Sequence, residues 1–296
     1  MSIIINKDTK VICQGMTGKE GTFQTLRTLK YGTNVVAGVT PGKGGMEHLG
    51  LPVFNTMLEA VQQTGAKVSI IYVPITASKA AMLEAVNAGI EIIICITEGI
   101  PVHDILEVKS VLKEHKCILI GPNTPGVITP GESLLGIMSD NIFKKGGVGV
   151  ISRSGTLTYE AIKQLTDEGI GQSTCIGIGG DPIIGTDIVF LLDKFEKDSE
   201  TKQILIIGEI GGSFEEDAAL YIKKNVSKPV FAYIAGKNVP KGKRMGHAGA
   251  IIKGESGNYE NKIRSLKEAG ICIIDDLNKI GESISKKNKS YHTYVT

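Results

Sequence analysis

Val11-Ile12-Cys13-Gln14-Gly15-Met16-Thr17-Gly18-Lys19-Glu20-Gly21 runs from a short apolar segment, through glycines three residues apart, into an amphipathic run ending near Leu29. That is the signature of a strand turning tightly into a helix. Glycine lets the backbone crowd a pyrophosphate, while the first amides of the helix point at it. The spacing here is G-x-x-G-x-x-G, one residue away from the dinucleotide pattern G-x-G-x-x-G. The next strand, residues 35–39, ends at Val39 and Thr40 without the acid that would bind a ribose hydroxyl, and Lys43 follows shortly. A lysine suits a ribose phosphate better than a bare ribose. A phosphorylated adenosine ligand is therefore expected, coenzyme A ahead of NAD, although a purely structural tight turn would use the same glycines.

Outward from this unit the alternation continues. Helices are expected over residues 57–64, 78–88 and 104–114, between strands at 68–73, 91–97 and 117–120, which completes a doubly wound sheet. Residues 121–146 break the rhythm with GPNTPGVITPG and read as a connection partly ordered by its prolines. A second set follows. Strands are expected at 148–151, 174–178, 203–207, 229–235 and 271–274, and helices at 155–168, 186–195, 215–224, 259–269 and 278–286. The fold class is thus α/β. A Rossmann-like domain over residues 1–122 and a connection over 123–146 precede a flavodoxin-like doubly wound domain over 147–296. Ile3-Ile4-Ile5 reads as an edge segment, and the last ten residues, rich in lysine, are expected to fray.

The 296 residues are 42% apolar and carry a net charge of +2, which describes a soluble globular chain of two ordinary domains. The lysines are scattered and not gathered into a stripe, which argues against nucleic acid as a partner. No apolar run approaches the roughly 20 residues of a membrane span, and no signal or transit peptide is visible at the start. Cys13, Cys95, Cys117, Cys175 and Cys272 are widely spaced, mostly in apolar runs, and none forms a CxxC pair. They read as reduced, buried thiols without a disulfide or a metal site.

Two near-motifs fail. Gly38 to Gly44 lacks the gap and the hydroxyl of a P-loop, and Ser152-Arg153-Ser154-Gly155 lacks the flanking glycine of a nucleophile elbow. Ser154-Gly155-Thr156 does read as a helix start capped by Ser154. It is either an ordinary cap or a cradle for a phosphoryl group. Glu209, in Gly208-Glu209-Ile210-Gly211-Gly212, ends a strand where α/β sheets open their ligand crevice, and Gly177 to Pro182 forms a second glycine-rich strand end. In Lys241-Gly242-Lys243-Arg244-Met245-Gly246-His247-Ala248-Gly249, an imidazole stands among small residues with three cations upstream. Such a loop is either a solvated basic turn or a receiver for an anion. A carboxylate that took the Nδ1 proton of His247 would leave Nε2 free as a nucleophile. His48, His103, His115 and His292 lack such company and read as surface residues.

Taken together, these stretches resemble the α subunits of succinyl-CoA synthetase (succinate–CoA ligase). The resemblance is carried by TGKEG at 17–21, GVTPGKGG at 38–45, CITEGIP at 95–101, GPNTPGVITPGE at 121–132 and SRSGTLTYEA at 152–161. It extends through GIGGDP at 177–182, GEIGGS at 208–213 and the highly specific PKGKRMGHAGAII at 240–252, and so spans essentially the whole chain. The resemblance implies that Thr17, Gly18, Lys19, Glu20, Val39, Lys43, Ile96, Thr97 and Glu98 contact coenzyme A. It implies that His247 is phosphorylated and oriented by Glu209, that Ser154, Gly155 and Thr156 hold the phosphoryl group, and that Tyr159, Asn123 and Thr124 lie at the substrate site. It implies a partner as well, a β subunit of ATP-grasp fold that holds the Mg-nucleotide, which agrees with the lack of a P-loop. Glu20 departs from the common glutamine and places a carboxylate near the phosphates, with Lys19 to offset it. Thr124 departs from a frequent cysteine, without expected loss of activity because the reacting thiol is that of CoA.

The expected reaction passes phosphate from a nucleoside triphosphate to His247 and then to succinate, after which CoA displaces phosphate to give succinyl-CoA. Another acid–CoA ligase, for malate, acetate or citrate, would use the same chemistry. An NAD-dependent oxidoreductase is disfavoured by the missing strand-end acid, and a non-catalytic CoA-binding regulator would have no use for the GHAGA loop. A bacterial cytoplasm is favoured over a mitochondrial matrix.

Overall fold

The structure, a computed structural model, describes residues 2–240, 242–252 and 257–293, with side chains to residue 286. Lys241, one of the three cations of the histidine loop, lies outside the described residues.

The first sheet uses β1 (Val11–Gln14), β2 (Val35–Val39), β3 (Glu47–His48), β4 (Leu51–Phe54), β5 (Val68–Ile71), β6 (Ile92–Cys95) and β7 (Ile118–Ile120), joined by α1 (Lys19–Tyr31), α2 (Met57–Thr64), α3 (Ile75–Asn87) and α4 (Val102–His115). Their order is β3-β4-β2-β1-β5-β6-β7. All pair in parallel except β3, which folds back antiparallel on β4. The order reverses between β1 and β5, so a crevice opens there at the carboxyl ends of the strands. The β3–β4 pair is not expected from the sequence. Leu51–Phe54 is short and contains Pro52, and β4 joins β2 only through Val53 and Phe54.

The second sheet uses β8 (Gly126–Thr129), β9 (Ser133–Gly136), β10 (Lys145–Ser152), β11 (Gln172–Gly177), β12 (Gln203–Glu209), β13 (Val230–Ala235) and β14 (Cys272–Ile273). Its helices are α5 (Gly155–Asp167), α6 (Ile188–Lys197), α7 (Phe214–Asn225), α8 (Tyr259–Glu268) and α9 (Ile280–Thr293). The order is β14-β13-β12-β10-β11-β8-β9, reversing between β10 and β12. The stretch read as a connection therefore contributes structure. Its β8 and β9 form a hairpin that pairs antiparallel with β11 and extends the second sheet. Glycine hides this from the sequence, because Gly126 and Gly136 have φ of 104° and 128°, and a Cβ on Gly126 would lie 2.0 Å from the Leu135 carbonyl oxygen.

Alternate strand residues face different cores. Val11, Ile70 and Ile94 join one apolar cluster, and their neighbours Ile12, Ile71 and Ile93 join another. The first of these clusters also contains Ile151, Ile176, Ile204 and Ile206 of the second sheet, so one apolar layer is shared by the two sheets. Ile5 is buried in that layer, although residues 3–5 form no strand; its carbonyl accepts from Thr129 Oγ1 at 2.9 Å. Helix α9 continues through Thr293, past the point where its lysine-rich composition predicts fraying, because Ile280 and Ile284 are buried in the core that α5 also covers. All five cysteines are free. Burial pushes the Cys13, Cys95 and Cys117 thiols up to about 12, which leaves them unreactive.

Candidate functional site

At the first strand reversal, the turn after β1 lies under the start of α1. Gly15 adopts φ 80°, and a Cβ there would meet the Tyr72 carbonyl oxygen at 2.8 Å. Gly21 packs so closely under the turn that a Cβ would lie 2.1 Å from the Gly15 carbonyl oxygen. Gly18 caps α1 without a side chain, so the first amides of that helix are left for a ligand. The cleft in front of them has a volume of about 450 Å³ and is lined by Gly15, Thr17, Gly18, Val39, Lys43 and Tyr72, among others. Its floor is polar but satisfied: Gln14 Nε2 donates to the Ala81 carbonyl at 2.9 Å and Gln14 Oε1 accepts from Ser69 at 2.8 Å.

Thr17, Gly18, Val39 and Lys43 thus fall on the cleft as the sequence suggests. Lys19 and Glu20 are not among its lining residues. The Glu20 carboxylate instead accepts from Gln24 Nε2 one helical turn on, at 2.7 Å, so it is tied along the helix. Ile96, Thr97 and Glu98 do not line the cleft either. They belong to the loop after β6, where the Thr97 hydroxyl donates at 2.8 Å to the carbonyl of Val73, a residue that lines the cleft, and the Thr97 carbonyl accepts from the Asn123 amide at 3.0 Å.

That crevice lies at the second reversal, between β10 and β12. Here Glu209 ends β12 with its side chain almost wholly buried, and Oε2 accepts from His247 Nδ1 at 2.8 Å. The imidazole rests on Gly180, where a Cβ would come within 2.1 Å of the His247 Cγ. Gly249 fastens the loop by donating to the Gly180 carbonyl at 3.0 Å, and Ala250 donates to the His247 carbonyl at 3.1 Å. The hydrogen bond to Glu209 raises the His247 imidazole above its ordinary value; partial burial opposes that, and Arg153 pulls the same way as burial. Asp181 stands nearby. Burial raises its carboxyl, against a hydrogen bond from Asn123 Nδ2 at 2.9 Å. Glu98, from the first half of the chain, acts electrostatically on both His247 and Asp181, so the two halves meet at this site.

Ser154 caps α5 by accepting from the Leu157 amide at 3.2 Å, with Gly155 and Thr156 in the first turn. Thr124 is buried, and its hydroxyl donates to the Gly177 carbonyl at 2.5 Å while accepting from the Gly126 amide at 2.9 Å. It locks the hairpin to β11. Asn123 adopts φ 56° and reaches Asp181. Tyr159 is half-buried at the start of α5, its hydroxyl 3.5 Å from the Ile137 carbonyl. His48 is not the lone surface residue the sequence suggests, since its Nε2 lies 2.8 Å from Thr22 Oγ1. His103, Asp104 and Glu107 cluster on α4, but Lys79 already bridges the two carboxylates.

Sequence reasoning passed over Arg153, Glu215 and Lys262, and noted Gly180 only as part of a glycine-rich strand end. Arg153 was legible only as part of a failed nucleophile motif. Lys262 sits four residues before Leu266 on the buried stripe of α8, an unusual place for an unpaired lysine and so a usable signal.

Residues 6–99 match a CoA binding domain, and residues 151–272 match a CoA-ligase domain. The chain is 58% identical over 288 residues to the succinate–CoA ligase [ADP-forming] subunit alpha of Aquifex aeolicus, covering 97% of this chain and 94% of that one. It is 52% identical over 299 residues to the subunit of the same name from Staphylococcus epidermidis (strain ATCC 12228), covering 100% and 99%. In fold it matches an ATP citrate lyase from Methanothrix soehngenii with a TM-score of 0.89 at 24% identity, over 98% of this chain and 51% of that chain, so it spans about half the length of that protein. On the strength of these full-length relatives, the chain belongs to the family of succinate–CoA ligase α subunits.

Proposed function

We propose that the chain is the α subunit of a reversible, ADP-forming succinate–CoA ligase in which His247 carries the phosphoryl group. The observation that carries this reading is the 2.8 Å hydrogen bond from His247 Nδ1 to Glu209. With the Nδ1 proton committed to a buried carboxylate, the neutral ring has its lone pair on Nε2. Nε2 attacks the γ-phosphorus of a nucleoside triphosphate held by a β subunit; the N–P bond forms as the bond to the diphosphate breaks. A succinate carboxylate oxygen then attacks phosphorus and returns the electron pair to Nε2. The CoA thiolate attacks the succinyl carbonyl, and the C–O bond breaks to release phosphate. The relay replaces one hard condensation by three displacements.

The CoA end rests on Thr17, Gly18, Val39 and Lys43, where the uncapped start of α1 favours an anion by roughly 0.3–2 kcal/mol. Ser154 to Thr156 offer a second helix start for the travelling phosphoryl group, and Asn123 with Tyr159 stand toward the acid. The free thiols, four of the five buried, suit a reducing compartment, and the bacterial relatives favour a cytoplasm.

The test is labelling of the chain by γ-labelled ATP in complex with a succinate–CoA ligase β subunit. Acid-labile, base-stable label is expected on the wild type, discharged by succinate with CoA. His247→Asn should take no label yet bind CoA with wild-type affinity. Label on the variant would refute the assignment.

A further inference from the structure

We infer that Arg153 is a positioning residue for phosphoryl transfer, holding Glu209 against His247 through a buried network that Glu215 and Lys262 complete. The inference rests on the reading of His247 given above. Arg153 is 2% exposed; it lies away from the cleft of the first sheet and lines a cavity of about 250 Å³ beside the histidine loop, with Pro182, Ala248 and Gly249. Its Nη1 donates to the Glu209 and Gly211 carbonyls, both at 3.1 Å, and to Glu215 Oε1 at 3.2 Å. Its Nη2 lies 3.3 Å from Glu209 Oε1 in a charge contact without hydrogen-bond geometry, so Oε1 is held by charge alone while Oε2 receives the imidazole.

The remaining members hold that arginine. Glu215 is fully buried; burial would raise its carboxyl, but Arg153 and Lys262 overcome this and hold it below the usual range. Glu215 Oε1 also accepts from the Glu209 amide at 3.1 Å. Lys262, likewise fully buried, spends all three ammonium protons: on Glu215 Oε2 at 2.5 Å, Glu216 Oε2 at 2.7 Å and the Gly212 carbonyl at 3.0 Å. Glu209 is thereby gripped at its amide, its carbonyl and its carboxylate, and the two glycines after it at their carbonyls. A buried ion network is a poor source of net stability, because desolvation offsets the attraction. What it supplies here is a fixed carboxylate at the end of a glycine-rich loop. The guanidinium presents Nη1 to two carbonyls and Glu215 and Nη2 to the Glu209 carboxylate, a spread that the single nitrogen of an ammonium cannot span.

The test uses the full chain in complex with the β subunit and follows the rate of His247 labelling from γ-labelled ATP. Arg153→Lys keeps the charge but loses the fork, and should label on the order of 10–100-fold more slowly, the usual cost of an outer partner of an active histidine, with the KM values for ATP and CoA unchanged. The double variant Arg153→Lys/Glu209→Gln should be no slower than Glu209→Gln alone, because both substitutions remove one arrangement. Wild-type labelling in Arg153→Lys, or slowing that multiplies in the double variant, would overturn the inference. If Arg153→Lys loses its cooperative thermal transition, Glu215→Gln enters the same cycle with the same expectations. Absence of label in the wild type is a different failure, that of the histidine relay itself.

Discussion

Each of the two sheets reverses its strand order once, and each reversal opens a crevice, but the crevices are made of different material. The first is made of backbone: glycines 15, 18 and 21, an uncapped helix start, and a floor where Gln14 is held by the neutral partners Ala81 and Ser69. The second is made of buried charge: Glu209, Arg153, Glu215 and Lys262 stacked behind one imidazole. Backbone amides can hold a phosphate without reacting with it, which suits a substrate whose phosphates anchor it while its thiol reacts elsewhere. A nucleophile needs its tautomer and direction fixed, and only side chains that are themselves fixed can do that. On the proposed reading, the same topology serves binding in one half and covalent chemistry in the other.

The sharpest way to break this comparison is to add one methyl group to each crevice. In Gly180→Ala the new carbon would lie 2.1 Å from the His247 ring, a side chain that can only move off Glu209. Labelling should fall roughly 100-fold, the scale of an ångström of misplacement, while CoA binding and thermal stability stay near wild type. In Gly21→Ala the obstacle is the Gly15 carbonyl oxygen at the same distance, which cannot move without opening the turn. That variant should lose CoA affinity and stability together but keep its ATP-dependent labelling. Equilibrium CoA titration, thermal melts and labelling on both variants should give crossed results. Parallel losses would mean that the two crevices do not divide the work.

A smaller effect separates orientation from charge at His247. Its imidazole is raised above its ordinary value mainly by the Glu209 hydrogen bond, so the ring holds two protons to a higher pH than usual, and phosphorylation rises with pH through that raised value. Glu209→Gln removes the main cause. The acid limb of the labelling rate should move to lower pH while the plateau drops roughly 10–100-fold. The linkage runs the same way: the charged pair contributes stability that is fully present below about pH 6.5 and is lost as pH rises through the raised value. Stability in Glu209→Gln should therefore vary less across that window. An acid limb that stayed in place would show that Glu209 does not control the ring's proton.

Most of this division was legible in the sequence, and what was not has a common cause. The glycine turn after β1 and the alternation of strands and helices are local patterns, and period and spacing report them; the pairing of Glu209 with His247 spans 38 residues and was implied by the family resemblance. The β8–β9 hairpin was missed because its glycines adopt positive φ and its partner, β11, lies some forty residues on. Residues 96–98, which only the resemblance ties to CoA, sit between Val73 of the first cleft and Asn123, contacts that no spacing rule contains. Arg153 and Lys262 were missed for the converse reason. The place of Lys262 on the buried stripe of α8 hints at a paired lysine, but the carboxylates that complete the network come from β12 and α7 and are seen only in the fold.

The smallest expected effect concerns Thr124, the position where the resemblance leads one to expect a cysteine. Its hydroxyl is shared between the Gly177 carbonyl and the Gly126 amide, a clasp from the hairpin to β11. A thiol is a weak donor and a weak acceptor, so Thr124→Cys should weaken both hydrogen bonds and cost about 1 kcal/mol of stability. The residue is 3% exposed, and its hydroxyl already has a donor and an acceptor for partners, so it has little to offer a substrate. Turnover and the KM for succinate should therefore remain those of the wild type, with only the melting temperature lowered by a few degrees. A raised KM for succinate with an unchanged melt would instead place Thr124 at the acid, and would move the substrate side of the second crevice from Asn123 and Tyr159 onto the hairpin itself.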